Sequence, residues 1–291
     1  MENINNYLYL NIIENKYLYL CLFMFSFFVI FIFIYNINNN NNNNNNININ
    51  INNQESEIII DDDKAKLNDI HSKIILIHGS LEEEYPEQLL SVKYIKPTDI
   101  VLEIGGNFGR NSCTIASILN DSSNLLVIES DPENSIKLKE NRDNNNLNFL
   151  IEDSAISNIN LYQNYWTTKP IDEINDIENW KQINTKSWDE IKNKYNMNFN
   201  TLVVDCEGAL YYIIKENPDF IESFDKIIIE NDFNDIEHKK FVDNNFIKYN
   251  FRKIYYEGTE RYYYEDIIDI KGRPISVKST SFFYEVWMKF K

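Results

Sequence analysis

The chain has 291 residues, a formal net charge of −17 and a sequence pI of about 4.6. Proteins that bind nucleic acid need clustered Lys and Arg side chains, so this acidity argues against a nucleic-acid partner. The three histidines are scattered, and no group of Cys and His residues has the spacing of a zinc site. We expect Cys113 and Cys206 to be small buried residues.

The first predicted element is a membrane anchor over residues 17–35, after a short tail over residues 1–16. The segment "YLYLCLFMFSFFVIFIFIY" carries no charge, and a spanning helix needs about 17–25 apolar residues. No small-residue cleavage pattern follows it, which favours a signal anchor over a cleaved signal peptide. Lys16 precedes the segment and the next Lys or Arg is Lys64, so the charge bias predicts a type II, single-pass protein with its domain in the endomembrane lumen.

An Asn-rich linker follows the predicted anchor. Residues 36–70 begin with a stretch of almost pure Asn, which cannot bury enough apolar surface to offset chain entropy. We therefore predict a disordered linker over residues 36–70 and one folded domain over residues 71–291.

Within that domain, apolar runs alternate with segments of helical pattern. Short buried-type strands separated by helices are typical of a parallel sheet that is covered on both faces. The aromatic, roughly alternating segments near the C-terminus predict two closing strands that pair antiparallel. The predicted strands are 99–104, 124–130, 147–156, 199–208, 224–233, 246–258 and 281–291, and the predicted helices are 111–121, 132–144 and a segment that follows residue 208 and stops near Pro218.

The end of the first strand carries a glycine-rich loop, "VLEIGGNFGRNS". The dinucleotide pattern G-x-G-x-x-G fails here, because its first glycine would fall on Ile104. The remaining pattern, E-x-G-x-x-x-G, resembles the first-strand motif of S-adenosylmethionine-dependent methyltransferases. In this interpretation Gly105, with Gly106 and Asn107, lets the backbone approach the methionine part of the cofactor, and Gly109 permits the turn into the helix. Glu103 binds the ligand's ammonium group, directly or through water.

The ends of the second and third strands supply further candidates. An acid at the end of the second strand accepts hydrogen bonds from both ribose hydroxyls of an adenosine moiety. Glu129 is the preferred residue for this role, while Asp131 is the alternative and could equally cap the helix that starts at Pro132. After the third strand, Asp153 is a candidate for the adenine amino group, and Ala155 is small enough to let a flat ring pack.

With these residues the sequence resembles the FkbM-type methyltransferases, from about Val92 to Asp232. This chain keeps the family's Asp-x-Glu-Gly-Ala as Asp205 to Ala209 and departs at Leu210, where the family commonly has a second Glu; Ser187-Trp188-Asp189 stands where Thr-Leu-Asp is usual. The resemblance implies a Rossmann-like class I methyltransferase sandwich, with a mostly parallel seven-stranded sheet and an antiparallel C-terminal strand. The segments that carry it are "VLEIGGNFGRNS", "LLVIESDPENSIKLKEN", "EDSAIS", "TKSWDEIKNKYNMNFNTLVVDCEGAL" and "IIIEND".

The resemblance also implies an activity, transfer of a methyl group from S-adenosylmethionine to a hydroxyl, here of a small molecule or a glycan. Asp205 and Glu207 are then the base or the substrate-orienting pair, because ligands bind at the carboxyl ends of the strands. Glu230 is a further candidate contact. The alternative for the pair is that Asp205 caps the next helix and Glu207 faces solvent. Apart from these acids, no residue pattern in the sequence indicates a metal site.

Two alternatives stay open on the sequence alone. Leu210 and the altered Ser187-Trp188 favour a catalytically inactive, membrane-tethered module that binds the cofactor or a partner. Trp166 and Trp180, in the long stretch between the third and fourth strands, could line an acceptor pocket or could pack an insertion against the sheet.

Overall fold

The computed structural model describes residues 62–233, 235–268 and 274–290, with the backbone alone for residues 258–268 and 274–283. The predicted tail, the predicted anchor over residues 17–35 and most of the predicted linker lie outside the described residues. Among the helices of the described part, none has both the length and the apolar character that crossing a bilayer requires. Residues 63–291 form one compact unit.

A seven-stranded sheet forms the centre of this unit. Its order is β3-β2-β1-β9-β10-β12-β11, with β1 (Val101–Ile104), β2 (Leu125–Ile128), β3 (Leu150–Glu152), β9 (Thr201–Val204), β10 (Lys226–Glu230), β11 (Phe251–Ile268) and β12 (Pro274–Lys289). Neighbouring strands from β3 to β10 pair parallel, and β12 pairs antiparallel with both β10 and β11. The predicted mostly parallel sheet with an antiparallel C-terminal strand is therefore confirmed.

Helices cover both faces of the sheet. The helices are α1 (62–71), α2 (Tyr85–Tyr94), α3 (Arg110–Ile118), α4 (Pro132–Asn144), α5 (Trp188–Tyr195), α6 (Leu210–Glu216) and α7 (Ile236–Lys248). One apolar core lies between the sheet and α2, α3 and α4, and a second core lies between the opposite face and α5, α6 and α7. The strands are buried on both faces because each alternate side chain enters one of these two cores.

Side-chain caps are present at the N-termini of helices α4 and α5. The carboxylate of Asp131 accepts from the backbone N–H groups of Glu133 and Asn134, so it caps α4. Ser187 and Glu190 form a reciprocal capping box at the start of α5. Trp188 then packs against the rings of Phe199 and Phe220.

The chain order of the strands creates a switch point in the sheet. The chain runs outward from β1 through β2 to β3, then returns to place β9 on the other side of β1. The connections that follow β1 and β9 therefore leave the sheet in opposite directions. A crevice opens between them at the carboxyl ends of the strands, and ligands of open α/β sheets bind in such a crevice.

Three regions differ from the sequence-based expectation. Residues 62–70, assigned to the disordered linker, are helical, and Leu67 is fully buried. The predicted strand over residues 246–258 begins only at Phe251, because Phe246 to Lys248 belong to α7 and Phe246 enters the core. The third predicted strand divides into β3 and the short β4 (Ala155–Ile156), which pairs with β8 (Thr185–Lys186).

The long stretch between the third and fourth strands forms a small sheet of its own. It has the order β6-β5-β7, with β5 (Leu161–Asn164), β6 (Thr167–Pro170) and β7 (Lys181–Ile183). The turn between β5 and β6 exposes Tyr165 and Trp166.

Candidate functional site

A cavity lies at the carboxyl ends of β1, β2 and β9, where the sheet has its switch point. It encloses about 1030 Å³ of empty space, its open mouth included. Its wall comes from the loops after these strands, from β4 and α6, and from the small sheet β5–β7. The mixture of apolar side chains and a few acids is typical of a site for an organic ligand.

The glycine-rich loop after β1 forms one wall by means of a close approach of two backbones. Gly105 has φ of 94° and its N–H donates to the carbonyl of Ile128, so the loop stays against β2. A Cβ on Gly105 would lie 1.6 Å from the carbonyl oxygen of Asp205. Only glycine therefore lets the loops after β1 and β9 come together at the cavity.

Two backbone hydrogen bonds hold the carboxylate of Glu129 in the cavity. One of its carboxylate oxygens accepts from the backbone N–H of Asn107 and the other from that of Asp131, each at 2.7 Å. The side chain lines the cavity although the residue is only 6% exposed. Burial raises its pKa to about 7, and the charge of Asp131 adds to the rise, while the two N–H donors oppose it.

The predicted cofactor-binding residues divide into two groups. Gly105, Asn107, Glu129 and Ala155 line the cavity. The other five are absent from its wall, within the part of the chain that the structure describes; they are Glu103, Gly106, Gly109, Asp131 and Asp153.

The residues outside the wall have visible structural positions. A Cβ on Gly106 would lie 2.2 Å from a methyl group of Val127, and one on Gly109 would lie 2.6 Å from Leu138, so both glycines permit packing of the loop and α3 against their neighbours. Asp131 caps α4, the alternative that the sequence left open. Asp153 is exposed, whereas the preceding Glu152 is fully buried and bonds to Lys186 and Lys194.

Glu103 lies inside the sheet, on the face that α2 and α3 cover. It is 2% exposed, and its Oε2 atom has no hydrogen-bond partner among the described residues. Burial raises its pKa to about 8 against the opposing effect of Ser112, and the charge of Glu84 adds to the rise. Glu103 is therefore absent from the described wall of the cavity, and its contact with a ligand, directly or through water, stays a prediction.

The loop after β9 carries the two predicted catalytic acids into the cavity. Both Asp205 and Glu207 line it, and a pair of left-handed residues, Glu207 with φ of 51° and Gly208 with φ of 82°, forms the turn before α6. The N-cap of α6 is Ala209, and no side chain caps that helix, so Asp205 does not have the capping role that was its alternative. Burial and the charge of Asp232 raise the pKa of Asp205 well above its usual range.

Other acids lie around Asp205, and of these Glu230 was predicted from the sequence as a candidate contact, whereas Glu84 and Glu87 were not. Glu84 lines the cavity from the turn before α2, and Glu87 lies one helical turn further on. The pKa of Glu87 is raised by burial and by the charges of Asp205 and Glu103. Burial and the charge of Asp205 likewise raise the pKa of Glu230 to about 9. No local pattern marks Glu84 or Glu87, because their partners come from strands far along the chain.

The small sheet closes the other side of the cavity. Leu161 and Gln163 of β5, Trp166 of the turn and Thr168 of β6 all line it. Trp166 thus takes the position that one of its two sequence-based interpretations required, while Trp180 is absent from the described wall.

Comparisons with known proteins find weak likeness in structure and none in sequence. No protein-family model matches the chain, and no curated protein sequence matches it significantly. A precorrin-6y C5,15-methyltransferase from Geobacter metallireducens matches with a TM-score of 0.42 at 7% identity, over 75% of this chain and 96% of the other.

Two further solved structures are similar to a comparable degree. A precorrin 8w decarboxylase from Methanobacterium thermoautotrophicum has a TM-score of 0.41 at 12% identity, over 76% of this chain and 98% of the other. An O-methyltransferase from Bacillus cereus in complex with SAH has a TM-score of 0.38 at 12% identity, over 79% and 90% of the two chains. All three TM-scores lie below 0.5.

Proposed function

We propose that the chain is an S-adenosylmethionine-dependent methyltransferase that methylates a hydroxyl oxygen. The observation that carries this proposal is the position of the Glu129 carboxylate and the hydrogen bonds that hold it there. Two backbone N–H groups hold its carboxylate at the end of β2, on the wall of a cavity at the switch point of the sheet. A carboxylate at this position is the standard contact for the two hydroxyls of an adenosine ribose.

The other cavity residues fit the remaining parts of the cofactor. Ile128, Ala155 and Ile156 offer an apolar surface beside Glu129 for a flat base. In the loop after β1, the Oδ1 atom of Asn107 is buried and has no hydrogen-bond partner in the described part of the chain. This acceptor suits the ammonium group of the methionine part, since an ammonium carries three donors.

The bound cofactor would supply an electrophilic methyl group on a sulfonium. Methyl transfer is largely a matter of position, so the chain's task is to hold an acceptor hydroxyl in line with that methyl and to take its proton. Asp205 is the residue that we assign as base, because burial and the charge of Asp232 raise its pKa and so make its carboxylate a stronger proton acceptor. Glu207, at the open side of the same loop, orients the acceptor.

The acceptor side of the cavity supports a polyhydroxylated molecule such as a sugar. Gln163, Thr168 and Glu207 offer hydrogen-bonding groups, and the half-exposed ring of Trp166 offers a flat apolar face. A lumenal domain would meet glycan hydroxyls, and this part of the proposal depends on the predicted type II orientation. Protease protection in sealed vesicles tests the orientation, and a cytosolic domain would remove the glycan argument.

The features that favoured an inactive module have structural explanations. Leu210, the first residue of α6, is fully buried in the apolar core, so its side chain points away from the cavity. Ser187 caps α5, and Trp188 packs in the same core. The two residues that differ from the usual Thr-Leu therefore have structural positions outside the cavity.

Titration calorimetry of the full chain with S-adenosylmethionine, S-adenosylhomocysteine and NAD tests the proposal. We expect micromolar binding of the first two ligands and none of NAD. Glu129→Gln should weaken binding at least tenfold, while the exposed control Glu222→Gln should leave it unchanged. A folded chain that binds neither sulfur ligand would contradict the proposal and favour the interaction module.

A further inference from the structure

The small sheet β5–β7 forms one wall of the cavity. Four of its side chains line the cavity, those of Leu161, Gln163, Trp166 and Thr168. The facing wall consists of the loops after β1, β2 and β9, and the loops after β1 and β9 are in close backbone contact. A ligand in such a cavity has most of its surface covered, so it enters and leaves faster when one wall withdraws.

The small sheet is the wall that has little buried apolar surface. Among residues 157–184, all of which the structure describes, the buried apolar side chains are those of Leu161, Pro170 and Ile183. They lie side by side across the sheet, because Leu161 pairs with Pro170 of β6 and with Ile183 of β7. This row is at the base of the sheet, next to the paired strands β4 and β8. A segment with so few buried contacts opens at a low cost in free energy.

The opposite end of the small sheet is the turn between β5 and β6. Tyr165 in this turn has φ of 51°, which is unusual for a bulky residue, and is 87% exposed. Trp166 follows it and lines the cavity, although it is 56% exposed. The buried row therefore fixes the base of the sheet, while the tip contacts the cavity without being buried.

Two carboxylates connect this segment with α6. At the base, Glu216 in the last turn of α6 accepts from the hydroxyl of Ser157 at 2.8 Å and from the backbone N–H of Asn158. One turn earlier in α6, the hydroxyl of Tyr212 donates to Glu173 at 2.6 Å. Glu173 ends the short 3-10 helix after β6 and is exposed. Burial and the bond to Glu173 raise the pKa of Tyr212, so the phenol retains its proton and remains a donor.

We propose that residues 157–184 are a lid that pivots on β4 and β8, and that the hydrogen bond from Tyr212 to Glu173 is the latch that holds it closed. Tyr212 itself lines the cavity, so the latch joins the cavity wall to the exposed side of the lid. Glu216 holds the base, so the lid opens at its tip without detaching. Lid opening does not depend on which ligand the cavity binds. Only the use of S-adenosylhomocysteine as a probe rests on the proposed function.

Hydrogen–deuterium exchange of the ligand-free full chain, measured by mass spectrometry of its peptides, tests the latch. Glu173→Ala removes the acceptor, and exchange in the lid peptides should become about three- to tenfold faster, as expected for the loss of one hydrogen bond. Asp172→Ala removes an equal charge from the neighbouring exposed position and should leave this exchange unchanged. Peptides from β1 and β2 should exchange at the wild-type rate in both variants, which establishes that the sheet is folded.

Tyr212→Phe tests the same bond from the donor side. It should speed exchange in the lid peptides as much as Glu173→Ala does, and the double variant should exchange no faster than either single variant. Effects that multiply in the double variant would show that the two residues act separately, and this result would overturn the latch. Equal exchange in Glu173→Ala and Asp172→Ala would overturn it too.

Stopped-flow binding of S-adenosylhomocysteine separates failure of the lid from failure of the proposed function. Glu173→Ala should raise the association and dissociation rates together by about three- to tenfold and leave Kd nearly unchanged, because the lid then opens more often with and without ligand. Loss of a contact with the ligand would instead change mainly the dissociation rate. Binding of the ligand with unchanged rates and unchanged exchange would overturn the lid alone. If the ligand does not bind, the proposed function fails, and the exchange measurement still decides the lid.

Discussion

Gly105→Ala tests whether the loops after β1 and β9 meet as closely as the cavity requires. The added methyl group would lie 1.6 Å from the carbonyl oxygen of Asp205 and 2.7 Å from its carbonyl carbon. Real Cβ contacts essentially never fall under 3.0 Å, so the two loops would have to separate by about 1.4 Å. Both atoms belong to the backbone, so no side-chain rotation can relieve the contact.

Gly208→Ala is the matched control for this substitution. Gly208 also has a positive φ, 82° against 94° for Gly105, but the nearest atoms to its Cβ lie at 3.5–3.6 Å, which is ordinary contact. A left-handed conformation costs a non-glycine residue about 1–2 kcal/mol, and both variants bear this cost. Overpacking adds about 1–3 kcal/mol at Gly105 alone, and disturbance of the neighbouring backbone hydrogen bonds adds about 1 kcal/mol more.

The expected losses are therefore about 3–6 kcal/mol for Gly105→Ala and about 1–2 kcal/mol for Gly208→Ala. Urea unfolding of the full chain, followed by tryptophan fluorescence, measures both, since Trp188 and Trp287 are buried. With an m-value of about 2 kcal/mol/M, the two midpoints should differ by roughly 1–2 M. Equal losses would refute the reasoning, because the close approach of the two loops would then be absent.

Three other predictions follow from individual contacts. The pKa of Glu129 is raised to about 7, and the ribose hydroxyls need its ionised form, so the affinity for S-adenosylhomocysteine should fall by about tenfold per pH unit below pH 7. Calorimetry between pH 5 and 8 measures this affinity. The Glu129→Gln variant should bind S-adenosylhomocysteine weakly at every pH. Asp99→Asn leaves the ammonium of Lys226 buried without its carboxylate partner at 2.6 Å, and should cost about 3–5 kcal/mol in urea unfolding, much of which Asp99→Asn with Lys226→Met should recover. Ser187→Ala removes the capping box of α5 and should cost about 1 kcal/mol, a fall of about 2–4 °C in thermal midpoint that an unchanged midpoint would contradict.

The sequence by itself was sufficient for the sheet and for the cavity residues that follow its strands. Short apolar runs indicated all five strands of the sheet that precede the last pair, although the third strand is shorter than predicted. The loops that follow β1, β2 and β9 line the cavity. Gly105, Asn107, Glu129 and Asp205 were predictable because each lies within a few residues of its strand. Local spacing decides where such residues emerge, and a parallel sheet then brings the carboxyl ends of its strands together.

The tertiary structure alone decided which of several neighbouring acids face the cavity. In a strand that is buried on both faces, alternation of apolar and polar residues gives no sign of direction, and a shift of one residue moves a side chain to the other face. Glu103 therefore points toward α2 and α3, and Glu152 is buried while Asp153 is exposed, although the sequence favoured Glu103 and Asp153 as contacts.

The proximity of Glu84 and Glu87 to Asp205 shows the same limit at longer range. Glu84 and Glu87 meet Asp205 only because α2 packs near the carboxyl ends of β1 and β9, and that contact joins segments more than a hundred residues apart. Composition and periodicity describe each segment separately, so they predict that an acid is present but not which other acids it meets. Helix packing across the sheet supplies that information, and with it the local charge of the cavity.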